Sequence, residues 1–66
     1  MMTIFRSIGR VPAFTVPEGL SVKIHAQEWW EPISYNSTEI RVKSMTTKVL
    51  FDIPVEEFKR GMERVQ

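Results

Sequence analysis

The sequence predicts a mainly β, α+β fold: a small antiparallel sheet or partly open barrel of about five strands, with one C-terminal helix. Three observations carry this reading. Gly9, Pro12, Pro17-Glu18-Gly19, Pro32 and Asn36-Ser37 cut the chain into short pieces. Residues 20–30 and 38–44 alternate apolar and polar side chains with a period of two, the mark of strands with one wet face. After Pro54 the apolar spacing becomes helical.

Each element has its own justification. Residues 3–8 are apolar and β-branched, a first strand. Residues 13–16 form a short second strand, and Pro12 before it predicts an edge position, because proline cannot donate to a ladder. Pro17-Glu18-Gly19 is a tight turn in which Pro fixes φ and Gly is free to take positive φ. Residues 20–30 read as one long strand. Leu20, Val22, Ile24 and Ala26 point one way, and Ser21, Lys23, His25 and Gln27 the other. The same parity puts Trp30 on the apolar face and Trp29 on the polar one. Residues 31–37 read as a loop or hairpin end. Residues 38–44 set Ile40 and Val42 against Glu39, Arg41 and Lys43. Residues 46–53 are a last strand with Val49, Phe51 and Ile53 on one face.

The helix spans 54–65. Pro54 fits its first position, where the missing N–H costs nothing. Glu56 and Glu57 complement the dipole in the first turn. Val55, Phe58, Met62 and Val65 form the apolar stripe, and Glu56 and Arg60 are spaced to pair. Gly61 costs about 1 kcal/mol relative to Ala, so so short a helix forms only by laying its stripe on something apolar. The expected core is Ile4, Leu20, Val22, Ile24, Ile40, Val42, Val49, Phe51, Phe58 and Met62.

The 66 residues allow one domain, 1–66, with 42% hydrophobic and 26% charged residues, ordinary for a folded globule. A core this small, without disulfide or metal, supplies only about 3–5 kcal/mol. Near-ideal packing or a second copy of the chain must make up the rest, so a homo-oligomer, with a dimer favoured, is expected. The absence of Cys suits a reducing compartment. No apolar run approaches the ~18–20 residues of a membrane span, and the start lacks the order of a signal peptide. A cytoplasmic protein with no membrane partner is therefore expected.

Chemistry is scarce. One His and no Cys leave no zinc-ligand set, and no cofactor motif is present. The single histidine, His25, lies on a polar strand face with no serine elbow beside it. Glu56 and Glu57 point in different directions on a helix. No catalytic residue is assigned, and an enzyme is not expected.

Two surfaces remain. Trp29 beside Trp30 is the oddest local feature. An exposed Trp suits a protein-binding hot spot, so Trp29, Tyr35, Glu28 and Glu31 form one candidate patch. The net charge is only +1, yet residues 27–40 carry acids and no base while 41–48 carry bases and no acid. If strands 20–30 and 38–44 pair, Lys23 and His25 share a face with Arg41 and Lys43, a basic face suited to single-stranded nucleic acid.

The order of elements and some local text resemble the CsrA/RsmA family of small translational regulators. Ile4-Phe5-Arg6-Ser7-Ile8-Gly9 is similar to the family's first strand, and Pro17-Glu18-Gly19-Leu20-Ser21-Val22-Lys23-Ile24 to its turn and third strand. Glu39-Ile40-Arg41-Val42 resembles the fourth strand, and Glu56-Glu57-Phe58 the helix start. The resemblance implies an interlocked, RNA-binding dimer of five strands and a helix. This chain departs from the pattern at Gly9-Arg10 and Thr46-Thr47. It has Val55 where the family has its RNA-contacting arginine, just before the two glutamates, and only Arg6 stands for the basic residue of the family's first strand.

Three functions follow as expectations. The first is a small regulatory or inhibitory binding protein with a protein partner, a type common in phages and mobile elements. The second is an RNA-binding regulator using Arg6, Lys23, Arg41 and Lys43. The third is a structural subunit whose sheet edge a partner strand completes.

Overall fold

The described residues form seven short strands and one two-turn helix, in the order β1 (Phe5–Ser7), β2 (Val11–Thr15), β3 (Ser21–Ile24), β4 (Trp29–Tyr35), β5 (Glu39–Ser44), β6 (Leu50–Pro54), α1 (Val55–Gly61) and β7 (Met62–Arg64). These come from a computed structural model, which describes residues 2–66. The strands form one antiparallel sheet in the order β3-β2-β6-β5-β4-β1-β7. The mainly β class and the antiparallel sheet are as the sequence predicts. The strand count is seven, against the expected five or so.

The sheet departs from the expected one at three places. Residues 20–30 are two strands. The chain turns between Ile24 and Trp29, with Gln27 at a φ of 62°, and Ser7 of β1 ties the turn down. Residues 31–35, expected as loop, continue β4 to Tyr35. Pro32 is tolerated there because of the direction in which its nitrogen points. Met45 N–H donates to Trp29 C=O, so Trp29 and Glu31 face β5 while Trp30 and Pro32 face away from it. Finally, the helix stops at Gly61. Met62 takes an extended φ,ψ of −119°, 140°, and residues 62–64 pair with β1 in the register Ser7↔Met62, Arg6↔Glu63, Phe5↔Arg64.

Smaller corrections follow the same logic. Pro12 is not on an edge strand: β2 lies between β3 and β6. Thr15 N–H donates to Leu20, so odd-numbered residues of β2 face β3 and Pro12 faces β6, beyond a ladder that reaches only Phe14 and Thr15. Residues 45–49 are a turn rather than the start of a strand. Ser44 Oγ accepts from the N–H groups of Thr46 and Thr47, at 3.2 and 3.1 Å, and Lys48 takes a φ of 66°. Pro54 caps the helix instead of occupying its first position. The helix charges pair as Glu56–Lys59 and Glu57–Arg60, not as Glu56–Arg60. The expected turn holds, with Gly19 at a φ of 76°.

Paired residues share a face, so the registers sort the side chains. The inner face carries Val11, Ala13, Val22, Ile24, Trp30, Ile40, Val42, Phe51, Ile53 and Phe5, and α1 packs Phe58 against it. Phe5 and Phe58 meet edge to face at 4.8 Å, and Trp30 and Phe51 at 5.8 Å. Of the expected core, Ile4, Ile24, Val42, Phe58 and Met62 are buried, and Val22, Ile40 and Phe51 are half-buried. Leu20 and Val49 are 62% and 50% exposed. They stand at strand ends, opposite Thr15 and Ser44, where α1 does not reach.

Candidate functional site

The outer face is a field of balanced charge. Arg6, Lys23, Arg41 and Lys43 all lie on it, although β3 and β5 do not pair and are separated by β2 and β6. Glu31, Glu39, Asp52 and Glu63 lie on it too, by the same registers. Arg41 forks onto Asp52, Nε to Oδ1 at 2.8 Å and Nη2 to Oδ2 at 3.1 Å. That hydrogen bonding and charge, with a smaller contribution from Glu39, hold the guanidinium above its usual pKa. Arg6 Nη2 lies 2.6 Å from Glu63 Oε2. Two of the four bases are therefore ion-paired. Lys43 stands between Glu31 and Leu50, Lys23 sits on the β3 edge, and His25 is exposed in the β3–β4 connection.

The four residues of the expected protein-binding patch do not meet. Trp29 is 44% exposed on the outer face, beside Glu31 on the same strand face and across from Arg6. Glu28 is in the connection below them, with its backbone N–H and C=O bonded to Ser7. Tyr35 is at the far end of β4 and on the other face. The register shifts between Pro32 and Ser34, leaving Ile33 as an extra residue, and the bulge turns Tyr35 to the side of its partner Ile40. Alternation from Trp29 puts Tyr35 on the outer face. The bulge is what reverses it.

Tyr35 instead borders an apolar cleft of about 440 Å³, lined by Thr3, Phe5, Pro32, Ile33, Ile40 and Phe58 together with Ser34. Pro32 opens this cleft. The β1–β4 ladder ends at Phe5↔Trp30, and the next residue of β4 facing β1 is Pro32, which has no N–H to continue it. The chain before β1 diverges, and the floor of Phe5, Ile40 and Phe58 shows between the two segments. Tyr35 at 84% exposure and Ile33 at 45% stand at its mouth. Volume and apolar lining suit a binding cleft.

A second hollow, of about 420 Å³, opens at the other end of the inner face, over Val22, Ile24, Trp30 and Phe51, with His25 and Glu28 at its rim. Among the described residues no group of His, Asp and Glu is placed to hold a metal ion. No helix among them is long and apolar enough to cross a membrane.

No protein-family model, curated protein or solved structure matches the chain. Its function must be read from the site itself. Of the residues around the Tyr35 cleft, sequence reasoning singled out only Tyr35. The available signal for the others was Pro32, a proline inside a segment that can otherwise run as a strand.

Proposed function

We propose that this chain is a small, non-catalytic binding protein that regulates or inhibits a protein partner by gripping it at the Tyr35 cleft. The observation that carries the reading is an 84% exposed tyrosine and a 45% exposed isoleucine standing over an apolar cleft. Large apolar groups left in water beside a concave apolar floor are what a partner's side chain covers. Trp29 offers a second, flatter contact on the outer face. Placing the photo-crosslinker p-benzoylphenylalanine at Tyr35, in the host cell, tests the reading. A discrete adduct that resists nuclease and is lost to protease is expected, and none from the same group at exposed Arg10. An adduct that nuclease removes, or no adduct, sinks the proposal.

The RNA-binding alternative draws on Arg6, Lys23, Arg41 and Lys43. It has less support, because four carboxylates share that face and two of the bases are paired with them. A phosphate-binding surface needs net positive charge.

Self-association has its own supporting observation. Leu20 and Val49 have the pattern of core residues, yet each is half-exposed or more beside the second hollow. A second copy covering that end is our reading of them. Light scattering is expected to give a dimer, and Leu20→Lys a monomer with unchanged circular dichroism. A monomeric parent chain refutes this.

A further inference from the structure

We infer that the partner segment taken by the Tyr35 cleft is an extended peptide carrying an apolar residue next to a lysine or arginine. This rests on the protein-binding reading above and adds the chemistry of the segment. Three features at the end of β4 define it.

The first is a free strand edge. Asn36 N–H donates to Glu39 C=O, so Asn36 faces β5, and Tyr35 beside it points its own N–H and C=O away from β5. β1 does not extend that far, so no strand lies against this stretch of β4. Unpaired backbone groups on a strand edge are satisfied by another extended backbone.

The second is a pair of hollows on opposite faces of that edge. The apolar cleft lies on the inner face. A polar hollow of about 260 Å³ lies on the outer one, lined by Asn36, Glu39, Arg41 and Asp52, and it shares Ser34 and Tyr35 with the cleft. Successive side chains of a strand point to opposite faces. A segment laid along this edge therefore drops one residue into the cleft and sends its neighbour over Tyr35 into the polar hollow.

The third is charge. In the polar hollow, Arg41 and Asp52 cancel through their two-pronged bond. Asn36 Oδ1 is occupied by Thr38 N–H and Oγ1 and by Glu39 N–H. The Glu39 carboxylate has no ion pair and no side-chain hydrogen bond among the described residues. The hollow thus presents one uncompensated negative charge. That charge complements a cation and repels a carboxylate.

The test uses end-blocked hexapeptides that differ only in their central pair, Leu-Lys, Leu-Glu or Ser-Lys, titrated into the 15N-labelled protein. The Leu-Lys peptide is expected to shift the amides of Thr3, Ile33 and Tyr35. It should bind about tenfold more tightly than the Leu-Glu peptide, the scale of exchanging one attractive for one repulsive contact in a partly enclosed site. It should also bind about tenfold more tightly than the Ser-Lys peptide, which buries no apolar side chain in the cleft. Glu39→Gln removes no hydrogen bond or ion pair of the fold and should bring the Leu-Lys and Leu-Glu peptides to within about twofold of each other. Equal binding of those two peptides to the parent chain overturns the charge rule while leaving the cleft as a protein-binding site. Silence at those amides with every peptide overturns both.

Discussion

Ser7→Ala is expected to destabilise the fold by about 2–4 kcal/mol, because each buried polar group left without a partner costs about 1–3 kcal/mol. Ser7 is fully buried, and its hydroxyl is used to capacity. Oγ donates to His25 C=O at 2.7 Å and accepts from Glu28 N–H at 3.1 Å and from Trp30 Nε1 at 3.3 Å. One atom thus fastens β1, the turn between β3 and β4, and the largest buried side chain. Alanine fills most of the volume but leaves the buried Trp30 Nε1 without its acceptor and the part-buried His25 C=O and Glu28 N–H without their side-chain partner. For a domain of this size the loss corresponds to a Tm lower by about 15–30 °C, followed by circular dichroism. Ser21→Ala, at an exposed serine of β3, is the control and should lie within about 0.5 kcal/mol of the parent. A Ser7→Ala chain as stable as that control shows that the hydroxyl network does not hold the turn.

Gly61→Ala gives opposite answers by two arguments, and packing is expected to win. Helix propensity alone favours alanine by about 1 kcal/mol. A Cβ at Gly61, however, lies 2.7 Å from Cγ2 of Val11, itself buried at 2% exposure in β2. Gly61 is where the helix comes down onto the sheet, and its C=O accepts from Ile8 N–H at 2.9 Å. That bond limits how far the backbone can back away. Overpacking of this kind costs about 1–3 kcal/mol, so the substitution should destabilise. A double-mutant cycle with Val11→Ala isolates the cause. With space cleared at Val11, Gly61→Ala should become neutral or favourable. Stabilisation by Gly61→Ala in the parent background defeats the argument.

Much of the architecture could be read from the residues. The alternation at Glu39–Ser44 located β5, Pro17-Glu18-Gly19 located the β2–β3 turn, and Glu56-Glu57 after Pro54 located the helix start. What escaped depends on contacts remote in sequence. Nothing between Leu20 and Trp30 announces a turn, because the residue that fixes it is Ser7. Val65 follows the helical stripe, yet the chain beyond Gly61 pairs with β1, a strand that the start of the sequence supplies. Trp29 and Trp30 fall on the expected faces only because the turn preserves parity. Tyr35 does not, because a single bulged residue, Ile33, resets the alternation. The candidate cleft was invisible for the same reason. Its walls come from β1, β4, β5 and α1, and only the folded sheet brings Phe5, Ile40 and Phe58 under Tyr35.

The adjacent tryptophans give this chain two optical reporters one residue apart. Trp30 is 2% exposed, hydrogen-bonded through its indole nitrogen and set against Phe51, whereas Trp29 is 44% exposed. Emission from the shielded indole follows the interior as it melts. Emission from the wet one can be quenched by an added solute and follows whatever settles on the outer face. Replacing Trp29 with phenylalanine leaves a fluorophore that sees the interior alone. Unfolding and surface occupancy can thus be separated in one cuvette, with no label attached.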